Sequence, residues 1–138
     1  MNPILKKGLP RLKGLLVGNV KAVEYEGGPP ASTLIIFEDK TRLRCEYWRL
    51  IKDEKAVVSI FDHKQKYGLP TPIDAVKFLQ NELEKKTVID ASLDEKTGDL
   101  TFIFSGDLIL QVFNFTGYEI WELTFNDGTV EYSNYALT

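Results

Sequence analysis

Leu100-Thr101-Phe102-Ile103-Phe104-Ser105-Gly106-Asp107-Leu108-Ile109-Leu110-Gln111-Val112 is the stretch on which the fold class turns. Leu100, Phe102 and Phe104 fall on one face of an extended chain, and Leu108, Leu110 and Val112 fall on one face of the next. Side chains alternate sides along a strand, so this period of two marks a pair of half-buried strands around a tight Ser105-Gly106-Asp107 turn. The pattern recurs upstream at a constant offset of 67 residues. Thr33-Leu34-Ile35-Ile36-Phe37 aligns with the first run, Phe37 matches Phe104, Leu43 matches Leu110 and Cys45 matches Val112. Val20 then falls against Thr87 or Val88.

Working outward, the spacing predicts two β-meander units joined by one amphipathic helix. The first unit covers residues 17–61 with about four strands, one of them spanning residues 42–48, where Leu43, Cys45 and Tyr47 share a face. The second covers residues 87–135 with about five, closing on the Asn126-Asp127-Gly128 hairpin signal. Between them, Thr71-Pro72-Ile73-Asp74 reads as a helix start, with Thr71 at the N-cap and Pro72 at the first helical position. Ile73, Val76, Leu79 and Leu83 continue at helical spacing, and Phe78 widens the buried face, so the helix is placed at residues 71–86. Residues 1–16 contain Gly8, Pro10 and Gly14 and read as an irregular arm or one short turn that offers Ile4, Leu5, Leu9 and Leu12 to the body. The whole chain of 138 residues is expected to be one domain of class α+β, predominantly antiparallel β.

Composition narrows the function classes. Hydrophobic residues are 43% and charged residues 27%, a globular balance. The single cysteine, Cys45, permits no internal disulfide, so nothing points to an oxidising compartment. Leu15-Leu16-Val17 is too short for a signal-peptide core, and no run approaches a membrane span; a cytoplasmic bacterial protein is expected. The net charge of −3 is unevenly spread. Residues 1–14 carry +4, residues 15–86 carry +1 and residues 87–138 carry −8. An acidic C-terminal third repels a phosphate backbone and attracts a basic protein, so the expected partner is a basic protein, not nucleic acid or membrane.

No G-x-S-x-G, Walker A or dinucleotide-binding glycine pattern is present, and Gly27-Gly28-Pro29-Pro30 lacks the N–H groups that would cradle a phosphate. No catalytic residue, cofactor site or metal site is therefore assigned, since a single histidine without clustered cysteines makes a poor zinc site. Two stretches remain as contact candidates. Tyr118, Ile120 and Glu122 lie opposite the inward-facing Trp121 and, with Glu119, form an apolar and acidic patch. Asp62, His63 and Gln65 occupy the loop after the first unit, where a small-molecule site or an unrecognised enzyme site is the alternative reading. A module that dimerises through an exposed sheet edge is the third.

Two segments carry a family resemblance. Residues 62–74, Asp62-His63-Lys64-Gln65-Lys66-Tyr67-Gly68-Leu69-Pro70-Thr71-Pro72-Ile73-Asp74, resemble a DH-x-Q-x-[FY]-G-L-P-x-P-[IV]-D stretch of small bacterial proteins. Those proteins also tend to carry a Gly-Tyr-Glu-x-Trp segment, like Gly117-Tyr118-Glu119-Ile120-Trp121 here. Similar small α+β proteins serve as immunity proteins of bacterial toxin systems, so the resemblance implies a binding role, with a toxin as the basic partner. It carries over no catalytic residue.

Overall fold

In the computed structural model, which describes residues 9–23, 32–115 and 120–133, the alternating runs form two five-stranded antiparallel sheets. Sheet I contains β1 (Val17–Val23), β2 (Ser32–Phe37), β3 (Arg42–Cys45), β9 (Trp121–Thr124) and β10 (Val130–Tyr132), adjacent in the order β1-β2-β3-β9-β10. Sheet II contains β4 (Trp48–Lys52), β5 (Lys55–Ser59), β6 (Val88–Leu93), β7 (Leu100–Phe104) and β8 (Leu108–Val112), in the order β5-β4-β8-β7-β6. The α+β, mainly antiparallel architecture is the one the sequence predicts.

The two sequence units are not the two sheets. The first unit has five strands, not four; it gives β1–β3 to sheet I and β4–β5 to sheet II. The second gives β6–β8 to sheet II and β9–β10 to sheet I. The exchange begins at Glu46-Tyr47, which splits the expected strand over residues 42–48. Cys45 and Trp48 are both buried with two residues between them, so the alternation slips phase by one and the chain crosses to the other sheet. Tyr47, expected inward, is half-buried and packs against the edge of the core.

The halves correspond strand for strand. Val17 pairs with Phe37 as Val88 pairs with Phe104, and each pairing is followed by a bulge, at Val17/Asn19 and at Val88/Asp90. The match in the first strand is thus Val17 to Val88 and Val20 to Ala91, not Val20 to Thr87 or Val88. Near the junction of the halves, Leu16 bridges Thr87, and reciprocal bonds run from Val17 N–H to Lys86 O and from Val88 N–H to Leu15 O.

Helix α1 (Ala75–Leu83) is shorter than the predicted 71–86. Residues 71–73 are not helical because Ile73 is paired with the preceding loop: its N–H donates to Gln65 O and its carbonyl accepts from Lys64 N–H, both at 2.8 Å. Asp74, not Thr71, is the N-cap, its Oδ1 accepting from Lys77 N–H at 2.9 Å. At the other end Lys85 turns to a φ of 62° and donates its N–H to Val17 O, which ends the helix on sheet I. Ala75, Val76, Leu79 and Leu83 are buried, whereas Phe78 is 40% exposed. The arm forms a 3-10 turn at Leu9–Leu12 with Leu12 fully buried; Ile4 and Leu5 lie outside the described residues. The inner faces share one core, in which Trp48, Trp121, Phe37, Phe102 and Phe104 are the largest side chains. No helix among the described residues is long and apolar enough to cross a membrane.

Candidate functional site

Asp62 and His63 are neighbours in sequence and diverge in space. Ser59, Phe61 and Asp62 form a capping box on the 3-10 turn Ile60–Asp62, with Asp62 Oδ2 accepting from Ser59 N–H at 2.9 Å. Asp62 Oδ1 accepts from the Tyr67 hydroxyl at 3.0 Å, which holds the Tyr67 phenol above its ordinary range. His63 turns inward and is 5% exposed; its Nδ1 accepts from Ala75 N–H at 3.1 Å at the start of α1. The Asp74 carboxylate, which caps the same helix start, lies 3.8 Å from this nitrogen. Gln65 contributes its backbone, through Ile73 N–H on its carbonyl and its own N–H on Asp62 O. The three residues brace the entry to the helix and do not converge on a common point.

Of the second patch, Tyr118 and Glu119 lie outside the described residues. Ile120 is half-buried, and its carbonyl accepts from Glu46 N–H at 3.1 Å. Glu122 sits on the outer face of sheet I opposite Arg44, with its Oε2 3.8 Å from the guanidinium. Arg44 Nη1 donates to Glu46 Oε1 at 2.6 Å, so these three residues form a charged row. Cys45, between Arg44 and Glu46, points the other way; burial pushes its thiol up to about 12, which keeps it protonated and chemically quiet.

Burial also raises the Glu46 carboxyl above its ordinary 4.5, and the Arg44 charge offsets this only in part. Its Oε2 and the Ser32 hydroxyl, both buried, have no hydrogen bond of sound geometry among the described residues. A carboxyl raised on folding binds its proton more tightly in the native state, so stability falls as pH rises from about 4.5 through the raised value. Glu46→Gln is expected to flatten that fall by less than about 1 kcal/mol, since the group is only part-buried. Urea denaturation of both proteins at pH 4.5 and pH 7 measures it; parallel pH profiles would refute it.

Between the two patches the structure assembles residues that the sequence reading left out. Phe61, which precedes Asp62, stacks on Tyr47 with ring centres 5.7 Å apart. Tyr47 meets Phe115 at 4.9 Å, and Phe115 stacks on Phe113 at 5.8 Å. Arg49 lies over Phe113 at 5.3 Å and donates Nε–H to Gln111 Oε1 at 2.8 Å. Phe61 is 56% and Phe115 59% exposed. The strip continues into a polar cleft of about 370 Å³ beside Ser92, Asp94, Asp99, Thr101 and Gln111. It lies where the halves differ: two residues connect β3 to β4, whereas eight, residues 113–120, connect β8 to β9.

The signal was present in the sequence. Leu108, Leu110 and Val112 face inward, so Phe113 and Phe115 fall on the outward phase. Among the described residues no group of three or more His, Cys, Asp or Glu side chains is placed to hold a metal ion. The fold and strip define a two-sheet α+β protein with an exposed aromatic ladder. No family model, curated protein or solved structure matches the chain.

Proposed function

We propose that this chain is a non-enzymatic protein-binding module whose contact surface is the strip Phe61–Tyr47–Phe115–Phe113, and that its partner is a basic protein. The observation that carries the reading is the continuous aromatic ladder, exposed at Phe61 and Phe115, with Arg49 at its end. Aromatic rings and arginine anchor interfaces because they bring large rigid area at small entropic cost, and water rarely rewards their exposure. The −8 charge of residues 87–138 supplies attraction for a basic partner. The resemblance to small bacterial proteins extends this to a cytoplasmic immunity role, with a toxin as that partner. A small-molecule or enzyme site at Asp62 and His63 is less favoured, because both side chains are engaged in capping.

Co-purification with the product of a neighbouring gene in the host tests the reading. Wild-type protein is expected to retain a basic protein, and Phe61→Ala/Phe115→Ala is expected to bind it at least about tenfold more weakly. Equal retention by the double variant would refute the assigned surface.

A further inference from the structure

The outer face of sheet II carries a second surface, separated from the aromatic strip by the polar row Thr101–Gln111–Arg49. Ile103 pairs with Ile109, and Ile109 pairs with Ile51, so three isoleucines stand side by side on β7, β8 and β4. Ile89, at the β6 bulge, extends the row to a fourth strand. An antiparallel sheet facing water on one side ordinarily places polar side chains there. Here Ile89 is 57% and Ile103 39% exposed, and with Ile51 and Ile109 they line a concavity of about 400 Å³. The corresponding row of sheet I reads Ile36, Arg42 and Thr124. The apolar row is therefore a feature of one sheet and not a requirement of the fold.

One end of the concavity is acidic. Asp53 N–H donates to Asp107 O at 3.2 Å, which sets the β4–β5 turn beside the β7–β8 turn. Asp53, Glu54 and Asp107 all adopt positive φ there, and Glu54 and Asp107 line the groove. Among the described residues neither of those two carboxylates has an ion-pair partner. Lys52 and Lys55 flank the β4–β5 turn and the Lys86 ammonium lies beside Gly106, but the residues that line the concavity include Glu54 and Asp107 and no lysine or arginine.

We propose that this groove seats a cationic amphipathic helix, its apolar side chains on Ile51, Ile89, Ile103 and Ile109 and its lysine or arginine residues against Glu54 and Asp107. Four strands about 4.8 Å apart span roughly 14 Å, the length of about nine helical residues. A helix laid on a sheet is the ordinary way to cover an apolar sheet face. The free carboxylates select the charge that helix carries. This goes beyond the aromatic strip and stands whether or not that strip binds protein.

The test is fluorescence anisotropy of the whole chain with two labelled peptides of about 14 residues, both with leucine on one helical face, one with lysine and the other with glutamate opposite. The lysine peptide is expected to bind and the glutamate peptide not to bind. Ile103→Ser/Ile109→Ser, which leaves every charge in place, is expected to weaken binding by about tenfold or more, whereas Phe61→Ala/Phe115→Ala is expected to leave it unchanged. Glu54→Gln/Asp107→Asn is expected to weaken it and reduce its salt dependence. Circular dichroism checks each fold, and Ile89→Ser, at the most exposed position of the row, replaces the isoleucine pair if that variant does not fold. Equal binding of both peptides, or undiminished binding to the serine variants, would overturn the proposal. So would a wild-type dimer that the serine variants convert to monomer, since a second copy would then be the occupant.

Discussion

Replacing Trp121 with alanine is expected to cost about 3–5 kcal/mol of folding stability, a large fraction of the roughly 5–15 kcal/mol available to a domain of this size. The indole is fully buried on the inner face of sheet I, opposite Cys45 on β3. Its Nε1–H donates to Gly98 O at 2.8 Å, reaching the turn that precedes β7 of sheet II. Truncation therefore opens a cavity and leaves the Gly98 carbonyl without this donor. That turn has little freedom to adjust. Gly98 holds a φ of 79°, and a Cβ there would stand 2.7 Å from Asn114 Nδ2, which itself donates to Thr97 O. Trp48 occupies the matching place in the other sheet, 1% exposed, with its Nε1–H on Thr33 Oγ1 at 2.8 Å. Trp48→Ala is accordingly expected to fall in the same range. Urea denaturation followed by circular dichroism measures both, and a loss below about 1 kcal/mol at either position would contradict its place in the core.

The strands were legible because burial on one face imposes a period of two. Leu43 with Cys45, Leu100 with Phe102 and Phe104, and Leu108 with Leu110 and Val112 all face inward as their spacing requires. The exchange of strands between the sheets was not legible by that rule, because Glu46-Tyr47 contains neither glycine nor proline. The trace it leaves is the phase slip between Cys45 and Trp48, which a reading in runs of alternation passes over as continuous strand. The helix start was displaced for a comparable reason. Thr71-Pro72 has the composition of a helix start, but Ile73 forms its backbone bonds with Lys64 and Gln65, residues that only the folded loop brings near. The aromatic strip gathers Tyr47, Phe61, Phe113 and Phe115 from three connections far apart in sequence. Their outward phase could be read locally, but their stacking depends on how β4 and β8 pair.

Leu12→Ala is expected to cost about 2–5 kcal/mol, because the N-terminal arm docks this leucine on the body, as the sequence reading expects. Leu12 is fully buried at the end of the 3-10 turn Leu9–Leu12, which packs against β6. Gly14 follows with a φ of 84° and donates its N–H to Val88 O at 2.8 Å. Across the Leu16–Thr87 bridge the same construction is repeated. Leu83 is fully buried at the end of α1, which packs against β1, and Lys85 follows with a φ of 62° and its N–H on Val17 O. The turn at Leu9–Leu12 thus occupies the place in the first half that the last turn of α1 occupies in the second, each plugging the core beside an edge strand of the opposite sheet. Leu83→Ala is expected to lie in the same range. An unstructured arm would lose nothing at residue 12, so a Leu12→Ala protein as stable as wild type would refute the correspondence, whereas equal losses at residues 12 and 83 would establish both leucines as matching parts of one core.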